Sequence, residues 1–327
     1  MPSLVVGRSS LEDLVAAARL AEEAGFESIW ATEFYDHSAT VGIAAMAAGT
    51  TTIGLGSAIA YAFGRTPLVL AAEAADLDEL SAGRLTLGLG TGTQRMQRDW
   101  HGLDGEHAAT RMEELVPLVR QLWRLDQGPV EHDGRFYRVS IQPTAPPRPV
   151  EREIPIYLAG VNARMIEAAG AVGDGLVGHP LFTRRYVDEV VRPALARGAR
   201  RAGRDEPVPI AGYINCAVDE DREAARREAA TLIAFNSTVS TYQAILRLHG
   251  FDENAAAIRT AWEARDWEGM IGAVSDEMID TIALAGTPEE VRERFDSDWA
   301  DLYDTPLLWP PVFRGLAGAE AVVRAFS

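Results

Sequence analysis

Between Thr51 and Gly92 the chain reads TTIGLGSAIAYAFGRTPLVLAAEAADLDELSAGRLTLGLGTG. An apolar segment, an irregular loop, a helix-forming segment opened by Pro67 and a second apolar segment ending in a glycine-rich loop follow one another there. That order is a βαβ unit. Its two strands run parallel, so both strand-end loops lie on one side, where α/β folds hold their ligands.

The alternation extends along the chain. Strands are expected over residues 4–7, 27–32, 53–59, 85–89, 156–159, 175–178, 210–218 and 306–309. Helices are expected from Ser9 or Ser10 to about residue 24, and over 40–48, 67–80, 106–123 (kinked at Pro117), 162–171 and 184–202, with a last one from Ala317. Thr287 and Pro288 read as a helix cap and first turn. Residues 126–152 break the pattern and predict a small hairpin and surface loop. Residues 222–280 predict an insertion of several helices, with Trp262 and Trp267 in core or lid packing. Eight strands alternating with helices favour an α/β fold of the (β/α)8 TIM-barrel type, with the helical insertion before strand eight. Residues 1–327 then form a single domain. A doubly wound sheet is the alternative architecture.

Composition narrows the function. A formal net charge of −17 argues against nucleic acid as a partner. All 31 lysine-or-arginine positions are arginine, so a lysine Schiff base and a lysine phosphate clamp are both excluded. Cys216 is the single cysteine, which excludes an internal disulfide and a cysteine-based metal site. No run of eighteen apolar residues predicts a membrane span. The opening MPSLVVGRSS lacks a basic stretch followed by a long apolar one, so a cytoplasmic location is expected. Neither HExxH nor GxSxG occurs, and no metal site is expected.

In a barrel the site lies at the carboxyl ends of the strands, and that rule alone selects candidates. They are Glu33, Tyr35, Asp36 and His37 after strand two, and Ser57, Ala58, Ile59 and Tyr61 after strand three. Gly90, Thr91, Gly92, Thr93 and Gln94 follow strand four. Ala159, Gly160, Val161 and Asn162 follow strand five, His179 and Pro180 follow strand six, and Asn215 and Cys216 lie on strand seven. The run Ala159–Asn162 passes straight into a helix, so its N–H groups can face a phosphate. The glycines at 88, 90 and 92 permit close approach to a ligand. They are not a dinucleotide fingerprint, because the spacing fails and no helix is expected at once. Asp36 beside His37 can tune a proton donor or acceptor, while Ser38 or Asp36 can equally cap a helix. His179 reads equally as a structural residue or a ligand contact.

Several of these segments together resemble the bacterial luciferase-like superfamily. They are Ala21-Glu-Glu-Ala-Gly-Phe-Glu-Ser-Ile-Trp, Leu55-Gly-Ser-Ala-Ile-Ala, Arg65-Thr-Pro and Leu77-Asp-Glu-Leu-Ser-Ala-Gly-Arg-Leu-Thr-Leu-Gly-Leu-Gly-Thr-Gly. Ile156-Tyr-Leu-Ala-Gly, Ala168-Ala-Gly-Ala-Val-Gly-Asp-Gly-Leu and Gly286-Thr-Pro-Glu-Glu-Val complete the set. Within the superfamily the chain is most similar to the branch that uses the deazaflavin coenzyme F420. The resemblance implies a TIM barrel, a homodimer, and a non-prolyl cis peptide at the end of strand three: Ala58–Ile59, or Ser57–Ala58 if the register slips. It places the cofactor against Ser57, Ala58, Ile59, Gly90, Thr91, Gly92, Ala159, Gly160, Val161, Asn162, His179 and Pro180. It also implies catalytic groups beside the reactive ring edge: Glu33 if the loop aligns directly from Trp30, or Asp36 and His37 if it is longer. Thr93 and Gln94 stand where sugar-phosphate dehydrogenases of that branch carry a glutamate, which together with the missing lysines argues against a sugar-phosphate substrate.

The expected function is therefore F420-dependent hydride transfer between the deazaflavin C5 and a small organic substrate, with the direction unspecified. The alternatives are an FMN-dependent two-component monooxygenase of the same fold and a non-catalytic flavin-binding member.

Overall fold

Eight parallel strands close on themselves around a packed interior in the computed structural model, which describes residues 1–327. The strands are β1 (Ser3–Val6), β2 (Ser28–Ala31), β3 (Gly54–Ser57), β4 (Ala60–Tyr61), β5 (Leu85–Gly90), β6 (Val130–Asp133), β7 (Arg138–Ile141), β8 (Ile156–Ala159), β9 (Gly175–Val177), β10 (Ile210–Val218), β11 (Ala283–Gly286) and β12 (Thr305–Trp309). The ring runs β1–β2–β3–β5–β8–β9–β10–β12 and back to β1, each pair parallel. This is the expected barrel; the doubly wound alternative would leave two open edges.

The helices are α1 (Leu11–Glu23), α2 (Ala39–Gly49), α3 (Pro67–Leu80), α4 (Gln94–His101), α5 (Ala108–Leu122) and α6 (Ala163–Val172). α7 (Arg184–Tyr186) continues through a π-helical turn into α8 (Arg192–Arg201). There follow α9 (Arg222–Ser237), α10 (Gln243–Leu248), α11 (Asp252–Glu263), α12 (Trp267–Gly272), α13 (Asp276–Ile282), α14 (Pro288–Arg294) and α15 (Gly315–Phe326). Local chemistry sets many of the ends. The Ser10, Thr66 and Thr287 side chains each accept an N–H three residues on, at the starts of α1, α3 and α14. Glu22, near the end of α1, accepts the N–H groups of Thr51, Thr52 and Ile53 at 2.8, 2.6 and 3.0 Å, which pins the entry into β3. Burial opposes the Glu22 charge, yet those bonds hold its carboxyl down at about 2.

Two elements were missed in the sequence. α4 begins at Gln94, directly after the glycine loop, with Thr93 as its cap. Its text QRMQRDWH carries no apolar stripe, so periodicity is silent; the cap and the packing of Trp100 against Phe34 at 5.0 Å support it. β11 follows the helical insertion and pairs in parallel with the end of β10, Asn215 to Val218. Its four residues, ALAG, are too few to signal a strand. The hairpin β6–β7 lies within 126–152 and is anchored by Glu114, which accepts from Phe136 and Tyr137 N–H. α9 to α13 fill 222–282. Trp262 and Trp267 are 38% and 55% exposed and pack edge-on against each other at the surface, not in the core.

Side chains alternate along the ring strands. Leu4 and Val6 face the helices, whereas Val5 joins Trp30, Ala58, Val177, Ala211, Tyr213 and Leu307 inside the barrel. The interior is thus filled, and space for a ligand is left only at its ends. None of the helices is long and apolar enough to cross a membrane.

Candidate active site at the barrel mouth

The carboxyl ends of β2, β3, β5, β8 and β9 are five consecutive neighbours in the ring. The residues that sequence reasoning singled out therefore form one arc. Glu33, Asp36 and His37 stand at β2, Ser57–Ile59 at β3, Gly90–Gly92 at β5, Ala159–Asn162 at β8, and His179 and Pro180 at β9.

The end of β3 is the most constrained part. Gly56 pairs with Thr86 and Ala60 with Leu89, so one extra residue bulges out between β3 and β4. The Ala58–Ile59 peptide is cis. Every neighbour holds this bulge. The Ser57 hydroxyl donates to Gly88 O at 2.8 Å and accepts from Gly88 N at 2.9 Å. Ala58 N donates to Ala31 O at 2.8 Å, and the Tyr213 hydroxyl, from across the barrel, donates to Ala58 O. A Cβ on Gly88 would lie 1.8 Å from Ser57 O, and one on Gly90 would lie 2.7 Å from the Ile59 side chain. Glycine is required at both positions by close approach rather than by a turn.

Behind β2, Glu33 is 10% exposed and locked in place. Its Oε2 accepts from Tyr61 N at 2.7 Å and Arg65 Nη1 at 3.0 Å, and its Oε1 from Arg65 Nη2 at 2.9 Å. Arg65 also donates to Glu73 at 2.7 Å and to the Thr40 hydroxyl at 3.2 Å. An open cleft of about 490 Å³ beside this pair is lined by Glu33, Tyr61, Arg65, Glu73 and His101 among others.

His37 sits between two partners. Asp36 Oδ1 is 2.8 Å from its Nδ1, and the Thr32 hydroxyl is 3.0 Å from its Nε2. A carboxylate only accepts, so Nδ1 carries the proton and Nε2 of the neutral ring accepts from Thr32. The hydrogen bond from His37, helped by Arg8 at 3.2 Å, lowers the Asp36 carboxyl below its ordinary range. Gly7 fits against Thr32, where a Cβ would meet Oγ1 at 1.8 Å. Ser38, not Asp36, caps α2.

At β8 the Asn162 side chain caps α6 by accepting Met165 N at 3.2 Å. The first N–H groups of α6 have no acceptor within the helix and present a positive end. At β9 the His179 ring lies 3.9 Å from the Tyr242 ring, and burial holds its pKa down to about 3. Its Nδ1 accepts from Leu181 N at 3.2 Å, so the proton of the neutral ring is on Nε2. Asn215 donates to Pro180 O at 2.7 Å. Cys216 is buried, and burial pushes its thiol up, so it is no nucleophile.

A planar ring system with a phosphate fits this arc: a rigid bulge and small residues at β3 and β5, and a helix N-terminus at β8. Sequence reasoning missed Arg8, Thr32, Arg65, Tyr213 and Tyr242. Arg65 lies in Arg65-Thr-Pro, one of the segments that carry the family resemblance, and Thr32 stands at a strand end. Tyr213 shares the inward alternation of Ala211 on β10, a signal that period-two reading could have caught.

Residues 2–305 match the family model described as luciferase-like monooxygenase. The chain is 33% identical over 320 residues to an uncharacterised protein of Mycobacterium tuberculosis, covering 94% of this chain and 92% of that one. It is 29% identical over 290 residues to the 5,10-methylenetetrahydromethanopterin reductase of Archaeoglobus fulgidus, covering 85% and 83%. Among solved structures, the coenzyme F420-dependent tetrahydromethanopterin reductase from Methanopyrus kandleri superposes with a TM-score of 0.81 at 25% identity, covering 100% of this chain and 99% of that one. The chain belongs to the luciferase-like monooxygenase family.

Proposed function

We propose that the protein is an F420-dependent oxidoreductase that transfers a hydride between the deazaflavin C5 and a small organic substrate. The observation that carries this reading is the full-length likeness to an F420-dependent reductase. In this reading residues 1–327 are one domain serving one site, and the protein works in the cytoplasm as a homodimer. Ser57, Ala58, Ile59, Gly90, Thr91, Gly92, Ala159, Gly160, Val161, Asn162, His179 and Pro180, along the arc from β3 to β9, would hold the cofactor. When bound, it supplies the two-electron hydride chemistry.

The chain's own residues do the rest. The bulge at Ala58–Ile59, tied to Ala31, Gly88 and Tyr213, is a rigid floor, so orientation costs no reorganisation at the moment of reaction. The α6 N-terminus holds a phosphate. His37 Nε2 takes a proton by way of the Thr32 hydroxyl, and Asp36 steadies the imidazolium that results. Glu33, already paired to Arg65, positions Tyr61 and does not itself move a proton.

A cofactor titration tests the reading: F420 binds tightly, and tight FMN binding with no F420 binding refutes it. The second reading, an FMN-dependent monooxygenase, is favoured by the description of the family model itself. A non-catalytic flavin-binding role would show as F420 binding without turnover on any enone, imine or alcohol.

A further inference from the structure

The carboxyl end of the barrel interior holds one donor and one acceptor that nothing in the protein satisfies. Asn215 and Trp309 are register partners in the neighbouring parallel strands β10 and β12, and Trp309 is the last residue of β12. Both continue the inward alternation. Ala211 and Tyr213 precede Asn215 on β10, Leu307 precedes Trp309 on β12, and all three line the interior. Residues paired and directed in this way stand side by side, with their backbones roughly 5 Å apart. Asn215 is fully buried, and its Nδ2 donates to Pro180 O at 2.7 Å. Pro180 O only accepts, so the orientation of the amide is fixed and Oδ1 is the free acceptor. That oxygen makes no hydrogen bond, and neither does the indole Nε1–H of Trp309, although both atoms are shielded from solvent.

Buried polar groups without partners are rare and costly, and packing alone gives no reason for two of opposite kind in one register pair. The pair also continues the arc of strand ends, because β10 follows β9 in the ring and β12 follows β10. The Trp309 ring meets Tyr213 edge-on at 5.5 Å, and the Tyr213 hydroxyl reaches Ala58 O in the bulge. The other neighbours, Ile59, Ala159 and Leu307, are apolar. These facts define the group that fits. It must accept from the indole N–H and donate to the amide oxygen along one edge, and it must be uncharged. A carboxylate has acceptors only, so it would face the lone pairs of Asn215 and be buried without a counter-charge. An open-chain secondary amide is trans and points its N–H and C=O in opposite directions. Lactams, imides and primary carboxamides carry both on the same edge.

We propose that Asn215 and Trp309 form a seat for the cis-amide edge of a ligand at the barrel mouth, with Trp309 donating to its carbonyl oxygen and Asn215 accepting from its N–H. The inference rests on the reading of the mouth as a ligand site and names the group recognised there. It does not depend on which cofactor the protein uses. Two sources offer such an edge: the pyrimidinedione of a deazaflavin or flavin, and a substrate that carries a lactam, an imide or a primary carboxamide.

The test compares 2-quinolinone, a lactam, with N-methyl-2-quinolinone, which lacks the N–H, by calorimetric titration of the full chain without cofactor. The lactam binds at least roughly tenfold tighter than its N-methyl form. Asn215→Leu removes the acceptor and brings that ratio to about one; the ratio is the readout, because the lost bond to Pro180 affects both ligands alike. Trp309→Phe keeps an aromatic ring but no N–H, so it weakens both ligands by roughly fivefold or more and leaves their ratio in place. F420 titrated into the chain saturated with 2-quinolinone then distinguishes the sources: displacement assigns the seat to the cofactor, and binding of both together assigns it to the substrate. No binding of 2-quinolinone, a ratio of about one in the parent protein, or a ratio that survives Asn215→Leu would overturn the proposal. Failure of F420 to bind refutes the cofactor assignment instead, while the ratio measured on the cofactor-free chain still decides the seat.

Discussion

Replacing Arg65 by methionine removes the cation that holds the β2 and β3 ends together. The Arg65 and Glu33 side chains are 13% and 10% exposed. Methionine keeps much of the volume but takes away every bond from Arg65 to Glu33, Glu73, Thr40 and Tyr61 O. Glu33 is left with the Tyr61 N–H alone. Leaving a buried charge without its partner costs about 3–5 kcal/mol, a large share of the 5–15 kcal/mol of a typical domain. Urea denaturation at about pH 8 reads the loss directly. Adding Glu33→Gln to Arg65→Met restores about 2 kcal/mol, because the charge that was stranded is gone. A single-variant loss under about 1 kcal/mol at pH 8, or a double variant no more stable than the single one, would refute the view that this pair is a desolvated, mutually dependent unit.

Gly88→Ala places a Cβ 1.8 Å from Ser57 O, so β5 must move away from the bulge; F420 affinity falls at least roughly tenfold and stability by about 1–3 kcal/mol, checked by titration and thermal unfolding. Glu22→Gln removes a carboxylate held at about 2 by the N–H groups of Thr51 to Ile53. Its folded pKa is depressed, so the parent's advantage of about 1–2 kcal/mol is complete above about pH 4.5 and disappears as pH falls toward 2; urea midpoints across that window check it. His37→Asn lowers kcat by roughly 10²–10⁴-fold with F420 affinity within about threefold, followed by the absorbance of the cofactor, and Asp36→Asn gives a smaller loss. A His37→Asn variant that binds no F420 would make His37 part of the binding floor instead.

What was legible in the chain was what is encoded within a few residues. Ser10, Thr66 and Thr287 each reach an N–H three positions on, so these caps follow from local text. The apolar runs of the eight ring strands are equally local, and alternation with helices permits few closed topologies. The bulge at Ala58–Ile59 was found through resemblance rather than physics, since nothing in SAIA itself demands it. α4 escaped because it carries no apolar stripe, and Phe34 and Tyr35, against which its Trp100 packs, are not placed beside it by the sequence. β11 escaped because four residues become a strand only with β10 already there to pair with.

The site divides along the same line. The strand-end rule alone collected Glu33, Asp36, His37, the residues of β3 and β5, and the loop after β8. Their surroundings were decided only by tertiary contacts. Glu33 and His37 are four residues apart, yet one is neutralised by Arg65, thirty-two residues on, while the other is poised between Thr32 and Asp36. Tyr213 bonds Ala58 across 155 residues, and Tyr242 reaches His179 from an insertion whose sequence reads only as helix. Sequence determines which side chains a strand end can offer, because periodicity and capping act over one turn or one pleat. Closure of the barrel decides which of those offers meet a partner, because hydrogen bonds and desolvation act over three ångströms of space and not along the chain.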